Sequence, residues 1–120
     1  MCKSIMLVDD EHEVVTFLGN FLKRLNISSI QVTSGEDALL AYDKDKIDFV
    51  FLDVQLKGID GIDVLKGLKK INPDARVVMI TGKAEKSYQD MARELGAIDY
   101  ITKPLDLGEL REKINKYLIQ

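Results

Sequence analysis

The sequence predicts an α/β fold, a doubly wound sheet of five parallel strands with helices on both faces, and three observations lead there. Four short runs rich in Val, Ile and Phe lie at 5–8, 47–52, 77–80 and 98–101. They are too short for helices and do not alternate strictly, which is the pattern of strands buried on both faces. A fifth run at 28–33 does alternate, and helical apolar stripes fill the intervals between the runs. Parallel neighbours require a crossover, usually helical, so strand and helix repeated five times give a (βα)₅ architecture.

The elements follow in chain order. After the first strand, Val14, Leu18, Phe21, Leu22 and Leu25 repeat at helical spacing and put one apolar stripe on one face. The alternating run comes next, with Ile30 and Val32 on one side and Gln31 and Thr33 on the other, as an edge strand would have. Ser34, three residues before Asp37, opens a second helix carrying Ala38, Leu39, Ala41 and Tyr42. A third stripe runs through Ile62, Leu65 and Leu68 and stops at Asn72-Pro73; a fourth runs through Tyr88, Met91, Ala92 and Leu95 and stops at Gly96. Asp106 caps the last helix, whose stripe is Leu107, Leu110, Ile114 and Leu118. That helix takes up residues 105–120, so no output module is expected within the chain.

Composition sets the outer limits. The 120 residues suit one domain spanning 1–120. Hydrophobic residues at 46% and charged residues at 31% support a folded core rather than disorder. A net charge of -3, with lysines interspersed among acids, argues against direct nucleic-acid binding. No apolar run approaches the roughly 20 residues of a membrane span, and the start MCKSIMLVDDE does not read as a signal peptide. With Cys2 as the only cysteine, no internal disulfide is possible and a reducing cytoplasmic setting is expected.

In open parallel sheets, ligands bind outside the carboxyl ends of the strands. There the sequence puts Asp9 and Asp10 after the first strand, Asp53 after the third, Thr81 after the fourth and Lys103 after the fifth. Crowded carboxylates raise one another's proton affinity unless a cation joins them, and hard oxygen donors suit Mg²⁺ better than Zn²⁺. Taken singly, each residue has a plainer reading. Asp9 or Asp10 could cap the following helix, Thr81 could be a turn hydroxyl, and Lys103 a solvated charge. Their occurrence together on one sheet edge is what a purely structural reading leaves unexplained.

Four segments then carry a resemblance: LVDDE at 7–11, FLDVQLKGIDG at 51–61, MITG at 79–82 and DYITKP at 99–104. Over essentially its whole length the chain resembles the receiver domain of bacterial response regulators. The resemblance implies a flavodoxin-like sheet of order 2-1-3-4-5 and a two-component signalling switch rather than an enzyme acting on other molecules. It implies that Asp53 accepts a phosphoryl group from a histidine kinase or phosphotransfer protein. Asp10, Asp53 and the backbone carbonyl of Gln55 would ligate Mg²⁺, with Asp9 acting through water and Mn²⁺ a possible substitute. Thr81 and Lys103 would contact phosphoryl oxygens, and Thr81 and Tyr100 would form the conformational switch. Gln55 and Lys83, two positions beyond Asp53 and Thr81, would tune the lifetime of the phosphoryl group. The resemblance also implies a cis bond between Lys103 and Pro104, and a turn glycine at Gly61.

Lys57 departs from the family, which usually has proline there, so a looser loop is expected after Asp53. Two rival classes fit less well. An aspartyl-phosphate phosphohydrolase would carry a second acid two residues after the nucleophile, where this chain has Gln55. A flavin-binding module would need a phosphate cradle where Asp9, Asp10 and Glu11 stand. His12, beside the acidic pair, is read as a solvated first-turn residue. Downstream, an effector or output domain is the expected partner. Charges of both signs at Lys86, Asp90, Asp99, Glu109, Arg111 and Lys113 make a phosphorylation-dependent homodimer plausible.

Overall fold

The structure, a computed structural model, describes residues 4–56, 58–82 and 86–119; Cys2, Lys57 and Lys83 lie outside them, as do the side chains of Lys86 and Leu118. The elements are β1 (Ser4–Val8), α1 (His12–Arg24), β2 (Ser29–Val32), α2 (Gly35–Ala41), β3 (Ile47–Asp53), α3 (Gly61–Ile71), β4 (Val77–Thr81), α4 (Lys86–Glu94), β5 (Asp99–Thr102) and α5 (Leu107–Ile114). A π-helical turn, Asn115–Ile119, continues α5. All strand pairs are parallel and the order is β2-β1-β3-β4-β5, with the alternating strand β2 at one edge. Strand ends all fall within one residue of their sequence-based positions.

Side-chain alternation along the strands divides the core in two. Met6, Val8, Val50, Leu52, Val77 and Met79 face α2, α3 and α4, where Ala38, Leu65, Leu68 and Ala92 meet them. Ile5, Leu7, Phe49, Phe51, Ile80 and Ile101 face α1 and α5, packing on Leu18, Leu22, Leu110 and Ile114. Each fully buried Leu or Phe among these stabilises the fold by about 1.5–3 kcal/mol relative to exposure. Met91 and Leu107, placed on buried stripes by periodicity, are instead 46% and 44% exposed. Met91 sits at the margin of its helix's buried arc, about 100° from Ala92, whereas Leu107 shares the face of Leu110 and Ile114 but is the first residue of α5, with no preceding turn to cover it.

Helix starts follow the local chemistry. The Ser34 side chain accepts from the Asp37 amide at 3.1 Å, and Asp106 accepts from Gly108 at 2.8 Å. Asp60 caps α3 through the Ile62 amide, a cap that the sequence pattern does not single out. For α1 the N-cap is Glu11, without a side-chain hydrogen bond, so neither Asp9 nor Asp10 serves as that cap.

At the amino-terminal edge of the sheet, a polar clasp holds the end of the last helix. Asp99 Oδ2 accepts from Lys113 Nζ at 2.8 Å and from the Tyr117 hydroxyl at 2.6 Å, while Oδ1 accepts from the Tyr100 amide. Arg76 donates to the Tyr117 carbonyl, and the Tyr117 ring stacks on Phe49 at 6.0 Å. Burial opposes ionisation of Asp99, but the bonds from Lys113, Tyr117 and Tyr100 outweigh it and hold its carboxyl below the usual range. The same bond from the phenol to Asp99, helped by burial, pushes Tyr117 up to about 12. Asp99 and Lys113, read from sequence as free charges of a dimer face, are therefore bonded to each other.

Candidate functional site

Where the apolar runs end, the chain turns polar on one edge of the sheet, and four of the five strands deliver a residue there. Asp53 is the last residue of β3 and Thr81 the last of β4; Asp9 and Asp10 follow β1, and Lys103 follows β5. Asp9 and Asp53 are each 2% exposed, an unusual depth for carboxylates without partners. Their partner is Lys103, whose ammonium lies 3.1 Å from Asp9 Oδ2 and 3.2 Å from Asp53 Oδ2. Glu11 Oε1 adds a longer, exposed contact to the same ammonium at 3.6 Å. Sequence reasoning missed Glu11 as a site residue, although it directly follows the acidic pair.

The second oxygen of each buried carboxylate is used locally. Asp9 Oδ1 accepts from the Glu11 amide at 3.0 Å, and Asp53 Oδ1 accepts from the Gln55 amide at 3.0 Å. Such short side-chain turns are what Asp favours where a strand ends. For Asp9, a local structural use and a contact with Lys103 coexist on its two oxygens. Lys103 is held in turn by its own amide, which donates to the Thr81 carbonyl at 2.7 Å, and its bond to Pro104 is cis.

Asp9, Asp10 and Asp53 bring ligand-capable oxygens within 4.8 Å of one another. One ammonium does not balance this charge. Burial raises the pKa of Asp53 most; the Gln55 amide opposes this, the Asp9 charge adds to it, Lys103 opposes it, and the net position is about 6. For Lys103, burial disfavours the charged form, but hydrogen bonds and attraction from Asp9 and Asp53 more than compensate, and its pKa is raised. Three carboxylates, two of them buried, on a site short of positive charge form a donor set that fits a hard divalent cation taking oxygen ligands.

Other residues singled out from the sequence surround this centre. Thr81 is fully buried, and Tyr100 is half-buried against the α2–α4 core. Met79 pairs with Tyr100 and Thr81 with Thr102, so Thr81 and Tyr100 share one face of the sheet, two rungs apart along the β4–β5 ladder. The Gln55 side chain is exposed, while its amide is the group bonded to Asp53. Gly61 lies where the α3 N-terminus passes β3: a Cβ there would come within 2.5 Å of the Asp53 carbonyl and 2.6 Å of Val54 Cα. His12 opens α1 and is exposed. Beside Lys103, a cavity of about 310 Å³ is lined by Val14, Phe17, Pro104 and Leu105 together with Glu11 and Glu13. Among the described residues, no helix is long and apolar enough to cross a membrane.

Comparison with known proteins agrees with this geometry. The chain is 33% identical to sporulation initiation phosphotransferase F of Bacillus subtilis, over 98% of this chain and 95% of that protein. It is 37% identical to the alkaline phosphatase synthesis transcriptional regulatory protein PhoP of the same organism, again over 98% of this chain but only 49% of that one. The chain thus spans about half the length of several of the curated relatives it matches. A CheX–CheY–BeF3–Mg complex from Borrelia burgdorferi superposes with a TM-score of 0.92 at 26% identity, covering 98% of this chain and 90% of that one. The family model described as the response regulator receiver domain matches residues 5–115, and the chain accordingly belongs to that family of two-component signalling switches.

Proposed function

We propose that Asp53 is the phosphoryl acceptor of this receiver domain and that Asp9, Asp10 and Asp53, with the Gln55 carbonyl, are the residues that hold Mg²⁺ or Mn²⁺. The observation that carries the reading is the Lys103 ammonium bridging two buried carboxylates, Asp9 and Asp53, at the carboxyl edge of the sheet. When bound, the divalent ion supplies positive charge to the oxygens of the phosphoryl group. An Asp53 oxygen forms the new O–P bond while the N–P bond of a phosphohistidine donor breaks. Lys103, held at 3.2 Å from Asp53 Oδ2, moves its charge onto the incoming phosphoryl oxygens. The Thr81 hydroxyl donates to another of them. The related Borrelia complex, which contains BeF3 and Mg, supports a site of this composition.

The donor is a histidine kinase or phosphotransfer protein, as its relatives' signalling roles suggest. Val14, Phe17, Pro104 and Leu105 offer it an apolar approach beside Lys103. A phosphoryl group brings about 1.5–2 negative charges and new acceptor oxygens, which draw on Thr81 and let Tyr100, on the same sheet face, turn further inward. That movement reshapes the surface of α4, β5 and α5 for an effector, an output domain or a second copy. With Asp99 and Lys113 bonded to each other, a homodimer would rest on Asp90, Glu109 and Arg111 unless the clasp opens. From two positions beyond Asp53 and Thr81, Gln55 would orient attacking water and Lys83 would obstruct it or pair with the phosphoryl group.

Acetyl phosphate and Mg²⁺ test the assignment directly. Intact mass should rise by one phosphoryl group, acid-stable and base-labile, and the adduct should vanish in Asp53→Asn and with a chelator. An equal adduct in Asp53→Asn would overturn it.

A further inference from the structure

The loop between β3 and α3 is tied to the sheet at both ends. Val54 donates to the Ile80 carbonyl and Gln55 to Asp53 Oδ1, while Gly61 returns to the Val54 carbonyl at 3.0 Å. Between these anchors the backbone runs through Gly58 at φ +83°, a left-handed turn that favours glycine and supplies no ladder bond of its own. Among the described residues, the mid-loop tie comes from another element: Glu36, in the first turn of α2, accepts from the Ile59 amide at 3.3 Å. Its two carboxylate oxygens lie 3.5 and 3.6 Å from the position a Gly58 Cβ would take, so the carboxylate lies against the loop backbone. Directly beneath, Gly35 lets Ile59 settle on the same helix turn: a Cβ there would meet Ile59 Cγ2 at 2.3 Å. Side chain and backbone of Ile59 are thus both held by the start of α2.

We propose that Glu36 is a positioning residue for the metal and phosphoryl site, fastening the loop so that the Gln55 carbonyl is presented toward Asp53. The inference rests on the proposed role of that carbonyl. The bond is to a carboxylate oxygen, and the Gln side chain offers an amide oxygen at the same reach. Glu36→Gln therefore keeps the clamp while removing the charge, and Glu36→Ala removes both.

The test follows the Ile59 amide by hydrogen exchange in the metal-free protein and, separately, titrates Mg²⁺ by calorimetry on wild type and both variants, with thermal melting as a control. Glu36→Ala is expected to exchange Ile59 about three- to tenfold faster and to bind Mg²⁺ about three- to tenfold more weakly, the span of one modest hydrogen bond, with global stability nearly unchanged. Glu36→Gln should restore both to within about twofold. Unchanged Ile59 exchange in Glu36→Ala overturns the clamp, whatever the metal does. Equal loss of Mg²⁺ affinity in the two variants also overturns it, because long-range charge and not the bond would then be responsible. Wild type that fails to bind Mg²⁺ at all would defeat the metal-site reading, while the exchange measurement still decides whether Glu36 holds the loop.

Discussion

Replacing Asp53 with Asn should stabilise the metal-free protein at neutral pH, although it removes the residue on which the proposed function depends. Asp53 holds its proton to about pH 6 in the folded state, against 3.8 in the ordinary carboxyl, chiefly because it is buried. The folded state therefore binds a proton that the unfolded chain has already released. Its contribution is fully present below about pH 3.8 and is lost as pH rises through about 6. A displacement of about two units at about 1.36 kcal/mol each sets a ceiling of about 3 kcal/mol on this loss. Asn never ionises, retains an oxygen for the Gln55 amide and leaves Lys103 paired with Asp9. The stability advantage of Asp53→Asn should thus grow from near zero at about pH 4 to about 1–3 kcal/mol at about pH 7.5. Urea unfolding followed by circular dichroism at several pH values, with a chelator present, measures it; the difference between proteins cancels the carboxylates remote from the site. Saturating Mg²⁺ should close the gap, since a ligand at about a hundredfold its Kd adds about 2.7 kcal/mol to the protein that binds it. A gap independent of pH between about 4 and 8, or a less stable Asn variant at about pH 7.5 without divalent ions, would refute the account.

Two further outcomes follow from geometry elsewhere. Gly61→Ala should lose about 2–3 kcal/mol in chemical denaturation and slow acetyl phosphate labelling, because its Cβ would meet Asp53 and Val54 backbone atoms at 2.5–2.7 Å. Gly19→Ala, whose Cβ would meet the flexible Gln31 side chain, should lose markedly less, and equal losses would count against the explanation. Tyr117→Phe should lower stability by about 1 kcal/mol at about pH 7 through the missing bond to Asp99. The carboxyl of Asp99 is held low, so the clasp's contribution is present above the ordinary carboxyl value of 3.8 and disappears as pH falls through the lowered folded value; melting curves of the two proteins should converge once the pH is below that range.

Local sequence determined a large part of this protein. Strands begin and end where Val, Ile and Phe runs meet Asp, Thr or Lys, so the residues that terminate β1, β3, β4 and β5 are legible as one polar edge from the sequence alone. The caps at Ser34 and Asp106 are legible for the same reason, since each bond spans only two or three residues. Resemblance to a known family, rather than periodicity, supplied the strand order. Tertiary structure alone decided how the edge is wired. Lys103 reaches Asp9 and Asp53 across 94 and 50 residues, and Glu36 reaches Ile59 across 23. Those contacts depend on which strands are neighbours and how the sheet twists, and no local pattern encodes either. The same cause reassigned Asp99 and Lys113: each reads as a surface charge on its own element, but the packing of α5 beside β5 brings them to 2.8 Å, where each satisfies the other.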